Sequence, residues 1–189
     1  MATPLASAVF TAFALLVAGC ATTNYSAVDH AQACRAAAES IQHGDADLRQ
    51  CDLAVTNRQI PASARVASLV NRGILQMQAG NLQAAVADFD AVIGVAPSSA
   101  EAWINKGIAL SRQDGQERQA VAILSHGIDL GPAQPAKAFF ARAMAWESLG
   151  RAREAYEDYS RAAQLDPEWT EPGEQLRRFK VVRRKTASG

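Results

Sequence analysis

The sequence predicts an all-α chain in which successive helical hairpins stack side by side into a superhelix. Three observations carry that prediction. Four marks return at one interval: Gly80, Gly115 and Gly150 stand 35 residues apart, and so do Ala85, Ala120 and Ala155, then Phe89, Leu124 and Tyr159, then Pro97, Pro132 and Pro167. Within each interval the apolar residues fall at three- and four-residue spacing, which gathers them on one stripe of a helix. No stretch alternates apolar and polar residues for long enough to argue for a strand. A hairpin cannot bury its apolar stripe alone, so each must lean on its neighbour.

Taken in order, residues 1–19 come first, reading MATPLASAVFTAFALLVAG. The apolar run Ala8 to Gly19 is shorter than the roughly 20 residues a membrane-spanning helix needs. It has the length and small-residue exit of a secretory signal, although no Lys or Arg precedes it. Val17-Ala18-Gly19-Cys20 resembles the lipobox of bacterial lipoproteins. That resemblance implies that residues 1–19 are a lipoprotein signal peptide and that Cys20 is the lipidation site. It further implies that 20–29 is a tether and that Ala21, in place of Asp, directs the product to the outer membrane, facing the periplasm. Chemistry agrees with the residue types, because only cysteine offers a nucleophilic thiol for alkylation. The alternative is an ordinary signal peptide with an incidental cysteine.

Residues 30–62 are expected to form a degenerate helical hairpin, with His43-Gly44-Asp45 as its turn and Pro61 placed 36 residues before Pro97. Cys34 falls on its first helix and Cys51 on its second. With Cys20 acylated, these two are the remaining cysteines of an exported chain, and that compartment favours a disulfide over two buried thiols. Residues 63–167 hold three full repeats. The middle one carries extra residues near Gln113-Asp114-Gly115 and in Gly131-Pro132-Ala133-Gln134-Pro135, both in turns, where insertions are tolerated. Residues 168–189 are expected to be a capping helix and a basic tail. The helix should run from Glu168 to about Arg184, interrupted near Pro172-Gly173, with Leu176, Phe179, Val181 and Val182 covering the last apolar face.

The three full repeats resemble the tetratricopeptide repeat (TPR), so the fold expected is an α-α superhelix, a TPR solenoid of three repeats. The family's large apolar residue falls on Leu69, Trp103 and Phe139, and its tight-packing small residue on Gly73, Gly107 and Ala143. The leucine usual before that small residue is replaced by a cation each time: Arg72, Lys106 and Arg142. The second helix supplies Asp88 and Asp158 at matched positions, but Ile123 in the middle repeat. Pairs Arg72–Asp88 and Arg142–Asp158 are therefore expected, worth about 0–1 kcal/mol each if exposed.

The same resemblance implies that the first helices of successive repeats line a concave face that binds peptides. Carried over position by position, that face should present Val70, Asn71, Ile74, Met77 and Gln78, then Ile104, Asn105, Ile108 and Ser111, then Lys137, Phe140, Met144 and Glu147. Asn71 and Asn105 recur at one place, and an asparagine amide can bridge to peptide backbone whatever its sequence. The charged clamp of chaperone-binding members is matched only by Lys137, so an apolar groove for an amphipathic helix or an apolar strand is expected instead. Residues packed against the flanking hairpin or the capping helix would leave that groove filled. Ile104→Asp and Phe140→Asp are the substitutions expected to abolish capture of partners while leaving the domain folded.

Charge and chemistry narrow the function classes. The chain has 19 basic and 19 acidic residues. Six of the basic ones lie from Arg177 onward, leaving 13 against 19 in the remainder, so no basic stripe for nucleic acid runs along the repeats. Three histidines, His30, His43 and His126, lack metal-ligand spacing. No phosphate-binding loop or nucleophile motif is present, so neither catalysis, nor a cofactor, metal or small-molecule substrate is expected. The expectation is a lipid-anchored scaffold for protein or peptide partners of the envelope, in cell-wall or pilus and secretion assembly. The rival is an envelope lipoprotein that self-associates through its repeat faces.

Overall fold

The structure, a computed structural model, describes residues 27–40 and 44–179, and every regular element among them is an α-helix. The lipobox with Cys20, His43, and the tail from Lys180 onward lie outside the described residues. Helices α1 (Ala27–Glu39) and α2 (Asp45–Thr56) form the first hairpin. The three repeats follow as α3 (Ala62–Gln78) with α4 (Leu82–Val95), α5 (Ala100–Ser111) with α6 (Glu117–Asp129), and α7 (Pro135–Ser148) with α8 (Ala152–Leu165). Helix α9 (Thr170–Leu176) closes the series. Each hairpin packs on the next: α1 and α2 on α3, α4 on α5, α6 on α7, α8 on α9. This is the superhelix of stacked hairpins that the sequence predicts.

The recurring residues now have physical reasons. Gly80, Gly115 and Gly150 take φ of +81°, +79° and +69° in the turn between the two helices of each repeat, a left-handed backbone that a Cβ would strain. Gly107 answers a different need. A Cβ there would lie 2.5 Å from Leu124 Cγ, so α5 and α6 cross at a distance only glycine permits. Ala85, Ala120 and Ala155, all fully buried, sit on the second helices at the same crossings. Pro97, Pro132 and Pro167 fall two or three residues after α4, α6 and α8, where a helix can no longer continue.

The core is a series of small clusters, each joining one hairpin to the next. Met77, Ala85, Phe89 and Ala109 tie α3 and α4 to α5. Ile104, Leu110, Val121, Leu124, Ala138 and Ala141 tie α5 and α6 to α7. At the N-terminal end Cys34 and Cys51 are joined in a disulfide, fully buried beside Ala37 and Leu75, so the bridge both staples α1 to α2 and seats them on α3.

Both flanks differ from expectation in extent. Helix α1 begins at Ala27, inside the stretch assigned to the tether, with Asp29 in its first turn, where the positive end of the helix dipole favours an acid. Helix α9 is not interrupted at Pro172-Gly173. Pro172 is its third residue, and a first-turn proline sacrifices no intrahelical hydrogen bond. The helix also stops at Leu176, well short of Arg184, because the chain turns at Arg177-Arg178. That turn brings Phe179 to within 6.0 Å of the Tyr159 ring and 5.9 Å of the Tyr156 ring, centroid to centroid.

Candidate protein-interaction face

The first helices α1, α3, α5 and α7 touch in succession, which sets their outer stripes side by side on one face. Hollows open along it, two of them beside α7. The first, about 270 Å³, lies between α5 and α7 and is lined by Glu101, Ile104, Asn105, Ile108, Pro132, Ala133, Gln134 and Lys137. The second, about 510 Å³, is lined by Ser111, Arg112, Phe140, Met144, Glu147, Ser148, Tyr159, Gln175 and Arg178. Helix α7 runs past both, with Lys137 in the first and Met144 in the second.

The structure sorts the residues expected on this face into three groups. Asn105, Ile108 and Lys137 line the first hollow, and Phe140, Met144, Ser111 and Glu147 the second. Val70, Asn71 and Ile74 on α3 are half-buried and line neither, with Ile74 packed on the Met77–Phe89 cluster. Met77 and Ile104 belong to the core. Ile104 touches the first hollow but is only 8 % exposed, and a Cβ on Gly127 would lie 2.7 Å from its Cδ1. Ile104→Asp therefore buries a charge between α5 and α6 and destabilises the domain, contrary to the expectation that it would spare the fold. Phe140 is also structural, its ring 5.2 Å from Tyr159 and 4.8 Å from Trp169. Met144, 52 % exposed, is the large apolar side chain that this face presents to solvent.

The repeated cations are framework. Arg72 grips Asp88 with Nε at 3.0 Å and Nη2 at 2.6 Å, and its Nη1 donates to Asp52 on α2 at 2.8 Å. Arg142 grips Asp158 at 2.7 and 2.8 Å, and its Nη1 donates to Ser125 Oγ on α6 at 3.0 Å. Each arginine thus joins its own second helix to that of the preceding hairpin. Lys106, opposite Ile123, makes its ion pair backward only, to Asp90 on α4 at 2.5 Å. A guanidinium fork can serve two helices at once where an ammonium serves one. Asp52, Asp90 and Ser125 were missed because they belong to the neighbouring hairpin. Both aspartates facing the arginines are buried, and the Asp88 contact is the main cause holding the Arg72 pKa above its usual value. Asp158→Ala strands Arg142 and is expected to cost about 2 kcal/mol in chemical denaturation. Arg142→Met combined with Asp158→Leu should return to within about 1 kcal/mol of the parent.

At the end of the second hollow Tyr159 donates from its hydroxyl to Glu147 Oε2 at 3.0 Å, and Arg178 donates to Glu147 Oε1 at 2.7 Å. Burial, reinforced by the acceptor Glu147, pushes the Tyr159 phenol above its ordinary range. Arg112, the remaining cation of this hollow, was not anticipated. In the register of Gly73, Gly107 and Ala143 it shares a repeat position with Gln78 and Ser148, both uncharged, so nothing in the repeat marks a cation there. Its Nη1 donates to the Met77 carbonyl at 3.2 Å, at the C-terminal end of α3. Among the described residues no group of His, Cys, Asp and Glu could hold a metal ion, and no helix is long and apolar enough to cross a membrane.

Comparison with known proteins agrees with this architecture. The family model of the tetratricopeptide repeat matches residues 136–169, the third repeat. Among solved structures, the fragment of MamA from residue 41 to the end, from Desulfovibrio magneticus RS-1, is 23% identical with a TM-score of 0.62, over 78% of this chain and 82% of that one. A double mutant of MamA from RS-1 gives 24% and 0.61, over the same 78% and 82%. Another crystal structure of MamA protein gives 20% and 0.62, over 79% of this chain and 76% of that one. No curated protein matches. Residues 136–169 are a tetratricopeptide repeat, and the described chain has the superhelical fold that such repeats build.

Proposed function

We propose that this chain is a lipid-anchored scaffold of the bacterial envelope, held at the outer membrane through Cys20, which captures a protein or peptide segment on the face formed by α5 and α7. The observation that carries the reading is the state of that face. Met144 stands exposed in the second hollow, and neither the Lys137 ammonium nor the Asn105 amide has a side-chain partner among the described residues. Framework groups elsewhere in the repeats are matched, as Arg72, Lys106 and Arg142 are. Apolar surface rimmed by unengaged polar groups is the make-up of a contact face.

The anchor follows from Val17-Ala18-Gly19-Cys20. Acyl chains contribute about 0.8 kcal/mol per buried methylene, so two or more hold the protein at the membrane and raise its local concentration there. A stack of repeats that presents an apolar face suits an adaptor. Two substitutions test the two halves separately. Cys20→Ser should eliminate palmitate labelling and move the protein from the membrane to the soluble fraction. Met144→Asp should abolish co-purification of envelope partners with the detergent-extracted full chain while leaving its circular dichroism unchanged. A Cys20→Ser product that stays membrane-bound contradicts the anchor, and a Met144→Asp product with its full partner set contradicts the face.

A further inference from the structure

We infer that the segment held on this face is acidic: an extended stretch that lays apolar side chains on Met144 and Phe140 and offers a side-chain carboxylate to Arg112. The inference rests on the reading of this face as the partner site and names the chemistry of what fills it. Three cations and two acids line the two hollows, Arg112, Lys137 and Arg178 against Glu101 and Glu147. Both acids are already committed within the chain. Glu147 takes Tyr159 on one oxygen and Arg178 on the other, and Glu101 accepts the Ala133 backbone N–H at 2.9 Å. Arg112 and Lys137 have no carboxylate among the described residues.

Arg112 is also prepared for the task. One of its five N–H groups is fixed on the Met77 carbonyl, which orients the guanidinium and leaves its charge uncompensated. A carboxylate arriving in the plane of that fork can form two parallel charge-assisted hydrogen bonds. Lys137 and Met144 are seven residues apart on α7, roughly 10 Å at 1.5 Å per residue, which an extended segment spans with about three residues. A segment with carboxylates near both ends and an apolar middle therefore matches Lys137, Phe140 with Met144, and Arg112 in turn.

The test is selection of a random heptapeptide phage library on the detergent-solubilised full chain. Selected sequences are then resynthesised with both termini blocked, so that only side-chain carboxylates are read. The expected result is enrichment of peptides joining Asp or Glu to apolar residues. Arg112→Glu should weaken the selected peptides at least tenfold and Arg112→Gln severalfold, with circular dichroism and melting temperature verifying that each variant is folded. Neutral or basic consensus sequences, an acidic consensus indifferent to Arg112→Glu, or no enrichment on the parent protein would each overturn the inference. Should the consensus lack acids yet lose binding with Met144→Asp, the acidic assignment falls while the face stands as a partner site. Peptides indifferent to Met144→Asp as well would remove the face itself.

Discussion

Gly107→Ala is expected to lower the stability of the folded chain by about 2–3 kcal/mol, in the range typical of overpacked cores. The added methyl would sit 2.5 Å from Leu124 Cγ, 2.9 Å from Leu124 Cδ2 and 3.2 Å from the Leu124 backbone nitrogen. A side chain alone could rotate away. The backbone contact cannot be relieved without moving α6 off α5, and Ala120 and Ile104 would lose their fit with it. Gly94→Ala is the control within the same fold. Gly94 lies near the exposed C-terminal end of α4, and a methyl added there would meet nothing within 4 Å, so alanine should stabilise by about 0.5–1 kcal/mol through chain entropy and helix propensity. Opposite signs for one substitution, read in urea titrations followed by circular dichroism, test whether the close crossing of α5 and α6 is what the repeated small residue serves. Equal effects would refute it.

Removal of the disulfide is the second large effect. The bridge closes 17 residues, and the chain-entropy relation assigns such a loop about 3 kcal/mol. The core under it is small, Cys34, Ala37, Cys51 and Leu75 with Ala38 and Leu48 at its margin. Beside it, the His30–Gln50 hydrogen bond at 2.7 Å also joins α1 to α2. In a stack of repeats, stability is roughly a sum of local interfaces, so the loss should stay local. The double variant Cys34→Ala with Cys51→Ala is expected to lose amide protection in α1 and α2 by about two orders of magnitude, the equivalent of 3 kcal/mol, while α7 and α8 keep theirs. Uniform loss along the chain would mean that the hairpin is an integral part of one cooperative core.

The reach of the sequence is visible in particular residues. The hairpins were legible because glycine, alanine, a large apolar residue and proline each meet a separate physical demand at every repeat, so four signals coincide. The Arg72–Asp88 and Arg142–Asp158 pairs were legible because both partners occupy matched positions within one hairpin. Asp52, Asp90 and Ser125 were not, since their contacts depend on how one hairpin is rotated against the next, which no single repeat encodes. Within its own hairpin Ile104 turns inward over Gly127, whereas Met144 turns out. Arg112 is opaque for a further reason: its counterparts, Gln78 and Ser148, are uncharged, so the repeat marks no cation there. The end of α9 at Leu176 goes with Phe179 meeting Tyr156 and Tyr159, a tertiary contact that the helical pattern of the sequence does not encode.

The most direct trial of the account is site-specific photocrosslinking in cells that make the full chain. A benzophenone amino acid would be placed either at Met144, in the second hollow, or at Arg161, exposed on α8. Discrete adducts from position 144, with none from 161, are the outcome required of a scaffold that works through its inner face. Adducts from 161 with position 144 silent would contradict it.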